Sequence, residues 1–272
     1  MPHLILRLGA VFAGATLVWV AVDRCADVVF GPDYQRGRHM FSAVATTALV
    51  VPLVLFAYRR LDRLQWGDLR RASPRTAGRL LLLGAAGYLI PAGVAVAVLA
   101  AAGWLEINLR VSLLGALGSV LFLTVLVLLY EALPEELVFR GYLYRNLATA
   151  LPPWAAVLVQ AVLFTLFGVV IGSAGSIDRV VLFFCFAVVQ GIMRAATGSL
   201  WIPVGFHLAF QVSEQIVSPM WNCFAVDDLG LLQEVALGLV PLALGISVIQ
   251  LLRRTGWAKP PHSVPQERSR GR

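Results

Sequence analysis

The sequence predicts an all-α, polytopic integral membrane protein, a helical bundle of about eight transmembrane helices. Three observations predict it. Of its 272 residues, 59% are hydrophobic and 14% are charged, against about half and a quarter in a soluble domain. The mean hydropathy is +0.80. Apolar runs of the length that crosses a bilayer core, about 20 residues, recur along the chain between short polar loops.

The runs fall at 4–22, 41–57, 79–102, 111–133, 154–172, 179–196, 200–217 and 230–252. The first lacks a small-x-small cleavage site and reads as a retained helix, not a signal peptide. Residues 135–150 read as a further amphipathic helix or as the continuation of the fourth run. Leu151-Pro152-Pro153 is a turn, because proline ends helices. Antiparallel helices on either side of it put Glu135 and Ile171 at nearly one height. There is no internal repeat. Four stretches follow: 1–110, the N-terminal helices with a basic loop; 111–217, a core carrying the polar motifs; 218–258, the last helix; and 259–272, a basic tail whose composition is that of a disordered segment.

The net charge is +7, and Lys259 is the single lysine. Arginine placement sets the expected sidedness. Arg59, Arg60, Arg63, Arg70, Arg71, Arg75 and Arg79 crowd the second loop, which marks it as cytoplasmic. Alternation then puts both termini inside, the 103–110 and Asp227-Asp228 loops outside, and the Glu135 region nearer the cytoplasmic face. The expected location is a bacterial inner (plasma) membrane. The expected partners are the lipid bilayer and a membrane-bound protein or peptide substrate. The arginines flank membrane segments and form no nucleic-acid module. Cys25, Cys185 and Cys223 are scattered, which argues against a disulfide framework or a zinc knuckle. Cys185, inside an apolar run, reads as a small core residue.

Charge within or beside a membrane span is costly and marks function. Glu135-Glu136-Leu137-Val138-Phe139-Arg140-Gly141 follows the fourth run directly. On a helix, Glu136 and Arg140 share a face and can pair. Glu135 points about 100° away and is free for other work. Glu131 lies one turn earlier. A charge cluster at a solvated helix end is the competing reading. His207 and Gln211 also share a helix face, in an apolar helix where each needs a partner. An interhelical hydrogen bond holding the bundle together is the alternative there. There is no HExxH, and Gly172-Ser173-Ala174-Gly175-Ser176 does not match a nucleophile elbow. A transporter is a lesser alternative, without paired broken helices in matching halves.

Together these segments, about residues 115–217, resemble the CPBP family of membrane proteins, which holds the type II CAAX prenyl endopeptidases and bacteriocin-processing or immunity proteins. Glu135-Glu136-x-x-x-Arg140-Gly141 is similar to the family's EExxxR. Leu166-Phe167-Gly168 sits where the family has a phenylalanine followed four residues later by histidine. Thr197-Gly198-Ser199-Leu200-Trp201 leads to His207-x-x-x-Gln211, similar to HxxxN or HxxxD. The resemblance implies an intramembrane endopeptidase that hydrolyses a bond near the C-terminus of a membrane-bound, in some members prenylated, substrate. It implies Glu135 as general base, Glu136 and Arg140 as a supporting pair, His207 as polariser, and Gln211 in the asparagine's place. It also allows a divalent metal such as zinc, with Glu135 and His207 as candidate ligands. Two positions depart from the pattern. The second-motif histidine is Ile171, which neither accepts a proton nor binds a metal. Gln211 adds a methylene, which shifts its amide by about 1 Å, enough to matter for oxyanion geometry. The departures favour a second expectation, a catalytically silent relative that binds a membrane partner in an immunity or scaffold role.

Overall fold

A computed structural model describes residues 2–64 and 72–254. Arg70, Arg71 and the 259–272 tail lie outside the described residues. The chain forms α1 (Pro2–Phe30), α2 (Arg36–Leu61), α3 (Pro74–Ala101), β1 (Ile107–Leu109), α4 (Leu113–Leu147), α5 (Pro153–Val170), α6 (Ile177–Thr197), α7 (Trp201–Ile216), β2 (Phe224–Val226) and α8 (Leu231–Arg254). Among the described residues, seven helices are long and apolar enough to cross a membrane. The eighth predicted run, 200–217, is the difference. It forms α7, at 16 residues the shortest helix of the bundle, which leads from beside the start of α3 towards β2. Residues 135–147 continue the fourth helix, and the turn at Leu151-Pro152-Pro153 separates α4 from α5 as expected.

Local chemistry fixes the ends. Ser73, Ser112 and Ser176 each turn a hydroxyl oxygen to the backbone N–H three residues on, capping α3, α4 and α6. Gly198 closes α6 at φ 66°, a left-handed conformation that suits glycine. The two ends of the bundle have different characters. At one, Asp62 accepts from Arg7 at 2.9 Å and Asn146 at 2.9 Å, with Arg145 at 3.3 Å. At the other, β1 and β2 pair antiparallel, Asn108 opposite Ala225. We call these the Asp62 end and the ribbon end. The two loops that charge alternation assigns to one side, 103–110 and that of Asp227, meet in this ribbon.

Small residues bring the helices together, as expected where lipid removes the hydrophobic drive between them. A methyl on Gly84 of α3 would overlap the Ile202 carbonyl of α7, and one on Gly205 of α7 would overlap the Leu81 carbonyl. The Tyr88 hydroxyl, buried between α3 and α8, donates to the Leu237 carbonyl at 2.9 Å. Cys185 corrects its sequence reading. It is exposed, because in a membrane helix an apolar run also faces hydrocarbon.

Candidate active site

The site is built on a break in α4. Pro134 has no N–H, and π turns flank it at Leu128–Ala132 and Leu137–Leu143. The Leu133 N–H goes to the Leu128 carbonyl. The next residue on is proline, so the Leu129 carbonyl has no helical donor at either spacing. The Thr47 hydroxyl from α2 donates to it instead. A π turn is common where a helix must re-aim side chains. Here it sends two adjacent glutamates to different neighbours.

Glu136 turns inward and is 0% exposed, as is Arg140. Its Oε1 accepts from Arg140 Nη1 at 3.0 Å and from the Gln190 amide at 3.4 Å, and lies 3.0 Å from His207 Nδ1. The Arg140 guanidinium lies 4.5 Å from the centre of the Phe164 ring, which offers its face to the cation. The Arg140 carbonyl accepts from Arg194 Nε at 3.1 Å. Burying such a pair is tolerable only while both partners remain. Glu136 faces a guanidinium and acts as an acceptor, so His207 Nδ1 carries the hydrogen. In the neutral ring, Nε2 then holds a lone pair.

That lone pair points at Glu135. Its Oε2 lies 3.9 Å from His207 Nε2, too far for a direct hydrogen bond. Glu135 and His207 sit on the floor of a cavity of about 290 Å³. Glu131 lines the same cavity and accepts from the Gln215 amide at 2.8 and 3.1 Å. His207, Gln211, Glu214 and Ser218 follow one another up the wall as a stripe of helical spacing. Phe164 and Ile171 are the contribution of the α5 segment, Ile171 as its C-cap, with Phe183 and Phe186 from α6.

The structure therefore joins Glu135, Glu136, Arg140 and His207 into one contact set, with Gln211 on the cavity wall one turn further along. Ile171 reaches the Glu135 cavity, the height that the hairpin argument expects. Residue-by-residue reading missed Gln190, Gln215, Glu214 and Arg179. Glu214 and Gln215 were open to discovery as the next turn of the His207–Gln211 face. Gln190 carried no signal beyond being an amide in an apolar helix. His39 is buried in the first turn of α2, its ring centre 5.7 Å from that of Tyr130.

A structural or catalytic zinc takes at least three protein ligands. Among the described residues, no group of three His, Cys, Asp or Glu side chains is placed to hold a metal ion. Glu135 and the free His207 nitrogen offer two donors, while Glu136 Oε1 is shared by Arg140 and His207. These residues do not fit a three-ligand zinc site.

Residues 117–213 match the model of the family described as Type II CAAX prenyl endopeptidase Rce1-like. The match supports membership of the CPBP family. The matched residues contain both CPBP-like motifs, from Glu135 to Gln211, and both positions that depart from the CPBP pattern. No curated protein matches the chain.

Proposed function

We propose that this protein is a membrane-embedded endopeptidase of the CAAX-protease-like type, hydrolysing a peptide bond near the C-terminus of a membrane-bound substrate. The observation that carries the reading is the Glu135 carboxylate facing the His207 Nε2 lone pair across 3.9 Å on the cavity floor. Two acceptors so placed hold a water that donates one hydrogen to each and turns its oxygen towards the cavity. Glu135 takes a proton as that oxygen bonds to the scissile carbonyl carbon. As the C–N bond breaks, the same proton passes to the leaving amine. The Gln211 amide, further up the wall, is the side-chain donor available to the developing oxyanion. Glu136 and Arg140 act through His207, holding its ring in the tautomer the water needs. A positioned general base contributes about 10²–10⁴-fold.

A second reading, a silent relative that binds a membrane partner, is favoured by one observation. The α5 helix presents only Phe164 and Ile171 to the cavity, so no second base faces Glu135 from that side. The test is cleavage of a prenylated CAAX peptide and of short membrane peptides by the protein in liposomes. Cleavage by wild type that is lost in Glu135→Gln supports the first reading. Silence in wild type with activity in Ile171→His supports the second.

A further inference from the structure

We infer that the cavity is entered from the non-cytoplasmic side of the membrane, so that its occupant is a polypeptide segment presented there and not the tail of a cytoplasmic prenylated protein. The inference rests on the reading of the cavity as a peptide site, and it names the side and class of the peptide.

Three observations carry it. The first is where the cavity opens. Its floor is His207 and Glu135, 1% and 7% exposed. Its rim is Ser173, Arg179 and Met220, all exposed, with Ser218 and Gln233 beside them. Ser173 and Arg179 flank the α5–α6 connection. Ser218, Met220 and Gln233 flank β2. All belong to the ribbon end. The second observation is what closes the other end. Below Glu135 lie the 0%-exposed Glu136–Arg140 pair and a layer of Phe139, Tyr142 and Leu143, each 1% exposed or less. Beneath that layer, Asp62 ties Arg7, Arg145 and Asn146 together. From Glu135 to the end of α4 at Leu147 is about 18 Å of helix at 1.5 Å per residue, and beyond Glu135 no lining residue of the cavity comes from that stretch.

The third is charge. Arg59, Arg60, Arg63, Arg75 and Arg79, with the Arg253–Arg254 pair, belong to the Asp62 end. Arginine excess in short loops marks the cytoplasmic side. The ribbon end has fewer, and of these Arg38 is held by Asp23 and Asp27, and Arg110 by Asn222. The cavity therefore opens away from the arginine-rich face, although Glu135 itself lies towards the cytoplasmic half of α4. Arg179 at the rim, its Nε on the Ser173 carbonyl at 3.3 Å and its guanidinium over Phe183, gives the entrance a cation above an acidic wall.

The test is thiol accessibility, which does not depend on activity. Cys25 and Cys185, both exposed, are replaced by alanine, and buried Cys223 stays as the unreactive baseline. Single cysteines are then placed as Ile171→Cys and Ser218→Cys in the cavity, Asp228→Cys at the ribbon end and Arg60→Cys at the Asp62 end. Intact cells receive a charged, membrane-impermeant methanethiosulfonate, and the solubilised protein then receives a fluorescent maleimide. The expected result is loss of fluorescence at 171, 218 and 228, with 60 still labelled. Blocking of 171 and 218 only in inverted vesicles, from neither side, or with 60 blocked in intact cells overturns the inference. A protein that passes this test yet cleaves nothing retains its outward cavity and loses only the hydrolase reading.

Discussion

His207 Nδ1 lies 3.0 Å from Glu136 Oε1, which turns the other ring nitrogen towards Glu135. One carboxylate thus sets the state of the histidine and the other faces what that histidine presents. The two glutamates are adjacent in sequence but differ in what their loss should do.

Glu136→Gln leaves Arg140 as a buried cation without its anion. Breaking such a pair costs about 3–5 kcal/mol, so the variant should unfold at markedly lower temperature in detergent, as read by scanning fluorimetry. The double variant Glu136→Leu with Arg140→Met removes both charges and should recover much of that loss. Equal melting of the single and double variants would show that the pair is not what holds this layer.

Glu135→Gln should leave the melting temperature near wild type, because among the described residues no arginine lies within ion-pair distance of the Glu135 carboxylate, and Arg140 is held by Glu136. By the mechanism proposed above, it should slow cleavage by about 10²–10⁴-fold. Retained cleavage in a folded Glu135→Gln protein would remove Glu135 from the chemistry.

Gly205→Ala places a methyl against the Leu81 backbone. Backbone cannot swing aside as a side chain can, so α7 must shift and carry His207 with it. A cost of about 3 kcal/mol, at the upper part of the overpacking range, should appear as reduced thermal stability. Gly118→Ala, with open space around its Cβ position, is the control and should be neutral.

The Asp227 carboxylate gives a pH dependence away from the membrane segments. The backbone N–H groups of Glu106 and Asp228 donate to it, each at 2.8 Å, and hold its pKa below the ordinary value. A carboxyl depressed in the folded state stabilises above its unfolded pKa, and that stabilisation is lost as pH falls through the folded value. Exchange of the Glu106 amide hydrogen in nanodiscs should therefore lose protection selectively at acid pH. Asp227→Asn keeps an acceptor without titrating and should abolish the pH dependence.

Much of this was legible in the sequence. Hydropathy found every long helix, and spacing paired Glu136 with Arg140. The Leu151-Pro152-Pro153 turn carried Ile171 to the Glu135 cavity. The failures share a cause. Hydropathy cannot tell lipid-facing from buried positions, which misplaced Cys185, and an apolar run does not report where its helix starts and stops, so the run 200–217 holds a helix of 16 residues. Tertiary partners were invisible. Nothing about Gln190 or Thr47 in isolation reports that one reaches Glu136 and the other the Leu129 carbonyl. The ribbon, three residues on each strand, is too short to leave a periodic signal.

That ribbon has an evolutionary corollary. It joins the segment entering α4 to the segment leaving α7, the helices that carry Glu135 and His207. The Glu136–His207 contact joins the same two helices deep in the bundle. Their separation is thus set at two points, neither of which involves α5. The side chain that α5 lends to the cavity is a modular contribution. Position 171 can exchange one chemistry for another while the spacing between Glu135 and His207 stays where the other two helices hold it.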